Sequence, residues 1–106
     1  YQVDLARCGF TDAAYIRARV EEIGGRLCNH FYTSAINAAA GLHWLSTCRE
    51  AFLFENCVED RPVRRQVTQE TIDAQNGQIT VPDRPGLGVT LNEDFVAEAT
   101  VAESGG

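Results

Sequence analysis

No apolar run in this 106-residue chain approaches the ~20 residues needed to cross a bilayer. Its first residues, YQVDLARC, lack the charged-then-apolar order of a secretory signal. Together these absences predict a soluble, cytoplasmic protein with no membrane partner. There is no basic block either: Lys and Arg total 9 against 15 Asp and Glu, and the net charge of -6 is spread along the chain. Nucleic acid is therefore not an expected partner. No CxxC pair occurs among Cys8, Cys28, Cys48 and Cys57, which argues against zinc. Four cysteines would suit two disulfides in a secreted module, but helix-length periodic segments are not a loop-rich disulfide framework. Reduced thiols packed as small apolar side chains are the expectation. What is present, 44% hydrophobic and 23% charged residues, is ordinary for one small globular domain.

Along the chain, one order of events recurs. YQVDL alternates like a strand, RCGF follows as a loop, and Thr11 and Asp12 can cap a helix. From Ala13 the apolar residues Ile16, Val20 and Ile23 follow at helical spacing until Gly24-Gly25 stops them. The second unit runs from Leu27-Cys28 through the polar pair Asn29-His30 and a loop at Tyr32 to Ser34. There AINAAAGLHWLST begins a helix that is apolar on more than one side and so is packed tightly. AFLFE, Ala51 to Glu55, is a third short buried-strand pattern. Beyond Cys57, VEDRPVRRQV is too charged and too interrupted by Pro62 to continue, and reads as an irregular arm. TIDAQNGQITVP is a hairpin turning at Asn76-Gly77, DRPGLGVTL a turn with a short extended piece, and NEDFVAEATV a final helical turn or two before a frayed ESGG end.

The three strand patterns end on Asp4, His30 and Glu55, 26 and 25 residues apart. That period fits a strand, a loop, a helix and a return. Strand-helix-strand crossovers are nearly always right-handed, so short successive units put their helices on one side of a parallel sheet and leave the other side bare. Strands built to be buried on both faces do not tolerate that in water. Closing the sheet into a (β/α) barrel of about 250 residues turns the bare face into a packed interior, with catalytic groups at the C-terminal strand ends. The expected fold class is α/β: residues 1–58 form about three βα units of a TIM-type barrel, and residues 59–106 an arm, hairpin and tail. A small doubly wound three-layer domain is the alternative.

From Gln2 to about Phe95, the segments QVDLARCG, CNHFYTSAINAAAGLHWL, FLFE and GQITVPDRPGLGVTL resemble, in order and spacing, the C-terminal barrel portion of the enolase superfamily, specifically its mandelate racemase/muconate lactonizing enzyme-like group. The resemblance implies that these units are barrel strands six to eight, with strands one to five and an N-terminal capping domain absent from the chain. It implies a Mg-dependent enzyme that removes the proton next to a substrate carboxylate and stabilises the enediolate. Its Mg2+ ligands lie on strands three to five and a second base on strand two, none of them in this chain. Asp4 and His30 match the family's strand-six and strand-seven dyad, and Glu55 its strand-eight glutamate. The family commonly has two glycines before the helix-opening Thr, whereas RCGFTD has Gly9 and then Phe10, so the loop is about one residue short.

An α-proton of a carboxylate is weakly acidic, so its removal needs a base within hydrogen-bond reach. A neutral imidazole serves when its other nitrogen is fixed by a carboxylate, which makes His30 the expected acid/base and Asp4 its orienter. Glu55 would act as a protonated hydrogen-bond donor. A lone histidine after an apolar run is ordinarily structural, and His30 gains its catalytic reading only from the company of Asp4 and Glu55. His43, on the second helix beside Trp44, is expected to pack. Arg7 is a candidate contact for an anionic substrate or a surface ion pair; Asn29, Tyr32 and Ser34 are further candidate substrate contacts, with Ser34 alternatively a helix cap. No metal ligand is expected within the chain. The reading is an acid-sugar dehydratase or, by the same first step, a racemase or epimerase, acting on a small carboxylate substrate. The 106 residues alone are expected to be inactive, and to form a homo-oligomer or associate with the rest of a barrel.

Overall fold

The computed structural model describes residues 1–102, so the expected frayed end, ESGG, lies outside the described residues. Three short strands, β1 (Gln2–Val3), β2 (Leu27–Asn29) and β3 (Ala51–Leu53), form one parallel sheet in the order β1-β2-β3. Helix α1 (Leu5–Glu22) connects the first two strands and α2 (Ala35–Ser46) the second two. This is the expected α/β architecture of consecutive βα units from a TIM-type barrel. Val3, Leu27, Ala13, Val20, Trp44 and Leu45 share one core between the strands and the two helices. The Trp44 indole N–H donates to the Ala13 carbonyl at 3.1 Å, pinning α2 to α1 while burying the ring.

Helix α1 begins earlier than the sequence pattern suggests. Asp4 is its N-cap, Leu5 packs into the core, and the residues expected as a loop, RCGF, make a first helical turn. That turn breaks at Gly9, whose φ of 71° suits a residue without a side chain, and the helix resumes on a new heading. Thr11 and Asp12 thus lie inside the helix instead of capping it. At its other end, Gly24 at φ 68° closes a Schellman motif, with Gly25 N–H bonded to Val20 O and Gly24 N–H to Glu21 O. Helix α2 buries residues around its circumference, Ala35, Ala38, Ala39, Leu42 and Leu45 among them, as its small-residue pattern predicts. The four cysteines are free, and burial pushes the thiols of Cys8, Cys28 and Cys48 up from their ordinary value.

The arm is more ordered than expected. Pro62 occupies the start of a one-turn helix, α3 (Pro62–Arg65), where its missing N–H costs nothing. Arg64 from this turn is buried against Asn56 and Asp73 and lies 6.0 Å from the Phe31 ring centroid. Asn76 and Gly77, at φ 52° and 75°, form the expected tight turn. Among the described residues only Gln75 and Gln78 pair across it, and Ile79 and Val81 beyond the turn line, with Leu42, Leu45 and Leu53, a groove of about 340 Å³. A helix α4 (Glu93–Ala99), capped by Asn92, ends the described chain.

Glu70 ties this tail together. It pairs with Arg84 and accepts from Thr90 N–H at 2.7 Å, while Arg84 also reaches Gly88 O. The Arg84 guanidinium, helped by Thr90 N–H, holds the Glu70 carboxyl down at about 2, from the usual 4.5. A depressed carboxylate contributes its stability above the unfolded value and loses it as pH falls through the folded one. The tail is therefore expected to loosen between pH 4.5 and about 2, and Glu70→Gln to flatten that dependence in amide exchange across residues 84–90.

Candidate active site

Asp4, His30 and Glu55 all stand at the C-terminal edge of the sheet, where parallel strands hand over to loops. Val3, Leu27 and Asn29 are buried on the helix side; by the two-residue alternation of strands, Gln2, Cys28 and His30 share the opposite face. Glu55 joins that face through an irregularity. Leu27 is level with Ala51, but Cys28 is level with Leu53, so Phe52 is an extra residue in β3. Continuing the shifted register brings Glu55, in place of Phe54, level with His30. Arg26 lies over the Phe52 ring at 3.7 Å and holds the bulged residue outside.

The result is a close pair. His30 Nδ1 lies 2.9 Å from Glu55 Oε2, the same oxygen that accepts Phe31 N–H at 2.9 Å and the Gln2 side-chain amide at 3.0 Å. An oxygen that already collects two donors accepts from the ring as well, which assigns the proton to Nδ1 and leaves Nε2 with the lone pair. Among the described residues Nε2 takes no hydrogen bond, and the imidazole is 42% exposed. A base with one nitrogen fixed and the other open is what proton abstraction requires.

Among the described residues, Asp4 makes its side-chain contacts elsewhere than to His30. Its Oδ1 accepts from Ala6 N–H at 2.9 Å and the Asn37 amide at 3.4 Å, and Arg7 lies 3.9 Å from Oδ2. The physical reason is the early start of α1: the aspartate that follows β1 is also the residue whose carboxylate satisfies the helix N-terminus. Arg7 is almost fully exposed and, among the described residues, pairs only with Asp4. Tyr32 receives a hydrogen bond on its hydroxyl from Arg61, whose guanidinium also lies over the Tyr32 ring, linking the loop after β2 to the arm.

Asn29 is buried and turned to the backbone of the third unit. It is 1% exposed; its Oδ1 accepts from Glu55 N–H at 2.8 Å and its amide donates to Glu55 O at 3.2 Å, so both ends are used. Ser34 is the N-cap of α2, its hydroxyl accepting from Asn37 N–H at 3.3 Å. Ser34→Ala is accordingly expected to cost about 1 kcal/mol of stability, read in urea melts, while leaving substrate KM unchanged. His43 Nε2 lies 3.1 Å from Leu87 O and fastens the PGLG turn to α2, the packing role its position suggests. Gln2, which reaches Glu55, escapes notice in the sequence, although strand alternation puts it on the His30 face.

Among the described residues, no group of three or more His, Cys, Asp or Glu is arranged to hold a metal ion. The carboxylates at this edge are engaged, Asp4 by a helix end and Glu55 by His30, and do not offer the near-octahedral oxygen set that Mg2+ demands. No helix among the described residues is long and apolar enough to cross a membrane.

A family model described as enolase C-terminal domain-like matches residues 1–95. The chain is 32% identical to D-galactarolactone cycloisomerase of Agrobacterium fabrum, over 92% of this chain and 28% of that protein. It is 27% identical to arabinonate dehydratase of Saccharolobus solfataricus, over 85% of this chain and 24% of that protein. In structure it is similar to the mandelate racemase/muconate lactonizing enzyme from Jannaschia sp. CCS1, with a TM-score of 0.82 and 25% identity, over 97% of this chain and 26% of that one. The chain thus spans about a quarter of the length of the curated relatives it matches.

Proposed function

The chain belongs to the enolase C-terminal domain-like family, a family of enzymes, and from that premise we propose that it supplies the acid/base end of a barrel that abstracts the proton α to a carboxylate. The observation that carries this reading is the His30–Glu55 pair at the C-terminal strand edge, with Nε2 of His30 turned to the open face. The substrate class is a small acid sugar. His30 Nε2 takes the α-proton, the C–H electron pair passes into the enediolate, and Glu55 steadies the imidazolium through Nδ1. In the dehydratase reaction the β-hydroxyl then leaves with a proton from His30 as water, and the enol becomes a 2-keto-3-deoxy acid. Magnesium, where the complete enzyme uses it to hold the enediolate, is bound by residues outside this chain; the residues here do not fit the ion, and none of these steps passes through it.

The dehydratase reading is favoured by the arabinonate dehydratase relative, and an isomerase that shares the first step by the cycloisomerase relative at higher identity. The test is to incubate the complete barrel enzyme with a panel of aldonic and aldaric acids and sugar lactones in deuterated water. Deuterium entering the α-position supports proton abstraction; a 2-keto-3-deoxy product then identifies the dehydratase and an isomeric product the alternative. No exchange with any acid would overturn both. By itself the chain exposes Tyr1 beside β1 and Phe52 and Leu53 on β3 at half or more of their surface, and these two edge strands have no partner beyond them among the described residues. That favours association with the rest of a barrel or with a second copy, and inactivity of the 106 residues alone.

A further inference from the structure

We propose that Arg64 is a positioning residue for the proton-abstracting edge: reaching in from the arm, it braces the chain just beyond His30 and just beyond Glu55. The role rests on the proton-abstraction reading above and is the same whichever group orients the His30 ring. The strand ends create the need for such a brace. β2 stops at Asn29 and β3 at Leu53, so His30 and Glu55 both stand past the last ladder residue of their strands. What holds their neighbours then decides how well they are placed. Phe31 is buried, and its ring lies 6.1 Å from that of Phe54. Arg64 lies over the same Phe31 ring at 6.0 Å, and its Nη2 donates to Asn56 Oδ1 at 3.3 Å. Glu55 is thus flanked on both sides by members of one cluster, and His30 adjoins the central ring of it.

The chemistry of the cluster's cation separates positioning from mere filling. Arg64 is held from the far side by Asp73, whose Oδ1 accepts from Nη2 at 2.9 Å. Its side chain is 5% exposed, and Nε and Nη1 have no hydrogen-bond partner among the described residues. Burying an ion is costly, and leaving two of its N–H-bearing nitrogens unmatched adds to that cost. As a filler of this space, an uncharged side chain of similar length would do better. What a guanidinium adds is direction, since one rigid group sits over the Phe31 ring while its nitrogen reaches two acceptors at once. Removing it strands no buried charge either, because Asp73 is partly exposed and is also paired with Arg65. An apolar replacement should therefore keep the fold and lose the placement of the two strand ends.

The test uses the complete barrel enzyme. Arg64→Met is expected to leave the melting temperature unchanged or higher and to lower kcat roughly 10- to 100-fold with little change in KM, as misplacement of a catalytic group does. It is also expected to shift the His30 ring-nitrogen resonances of the substrate-free enzyme. Arg64→Lys, which keeps the charge and the donors for Asn56 and Asp73, is expected to recover most of the rate. A methionine variant with the parental kcat would overturn the proposal. So would a joint loss of rate and melting temperature with unmoved His30 resonances, the mark of a brace for the fold alone. Where the methionine variant does not fold, Asn56→Ala leaves Arg64 with Asp73 and is expected to show a smaller loss of the same kind; a parental rate and spectrum there would overturn the role. The spectrum needs no turnover. Shifted His30 resonances in an enzyme that exchanges no α-proton with any acid sink the proposed function and leave the positioning intact, whereas exchange that persists at the parental rate with unmoved resonances sinks the positioning alone.

Discussion

His30→Asn in the complete barrel enzyme is expected to slow exchange of the substrate α-proton with deuterated water by roughly 10³-fold, within the span general acid–base groups supply. His43→Asn is expected to leave that rate close to the parent's. The contrast follows from what each ring does. His30 has one nitrogen held by Glu55 at 2.9 Å and the other open on the sheet face away from the helices. His43 sits on α2, bonded to Leu87 O of the tail, on the side of the fold where the helices lie. Asparagine at position 30 can still donate one hydrogen bond to Glu55 but has no basic lone pair to take a proton. Exchange followed by proton NMR separates the abstraction step from any later loss of water, so the measurement reads His30 directly. An unchanged rate in the His30 variant would remove the base from the assignment, and a comparable loss at His43 would mean that the tail contact governs the site.

Much of this was legible in the sequence because it is local. Apolar spacing from Ala13 to Val20 marks α1, Ser34 marks the start of α2, and Asn76-Gly77 marks a turn, each by chemistry confined to a few neighbours. The strand ends were legible through their regular separation, since short βα units repeat at a length set by strand, helix and loop. What escaped is non-local. A bulge at Phe52 leaves no mark in AFLFE, because its four apolar side chains and one acidic one suit either register, and only the pairing with β2 decides. The clamp of Asn29 on Glu55 depends on that register and was equally hidden; a buried asparagine and a substrate contact look alike in one dimension. The role of Asp4 turned on how soon α1 begins. RCGF reads as a loop by its glycine, yet Gly9 marks a change of heading between two helical pieces, and the first piece draws the aspartate into capping.

That last difference sets up the second large effect. If His30 is oriented by Glu55, then Glu55→Gln removes the charge that steadies the imidazolium while keeping an oxygen within reach of Nδ1. A loss in kcat of about 100-fold is expected, with KM changed far less, since misorientation and lost charge stabilisation act on the transition state more than on binding. Asp4→Asn, by contrast, keeps a side-chain oxygen for Ala6 N–H, and asparagine is as good an N-cap as aspartate. Its expected effect on exchange is small. The dyad implied by the family resemblance gives the opposite ranking, with Asp4→Asn the damaging change because Asp4 would hold Nδ1. Measuring α-proton exchange in the two variants side by side therefore decides which carboxylate orients the base. A large loss for Asp4→Asn with a ring-nitrogen spectrum altered at His30 would restore the dyad and reduce the His30–Glu55 contact to a neighbourly one. A large loss for Glu55→Gln alone would mean that this chain reaches the same chemistry with its carboxylate on the opposite side of the histidine strand, brought there by one extra residue in β3.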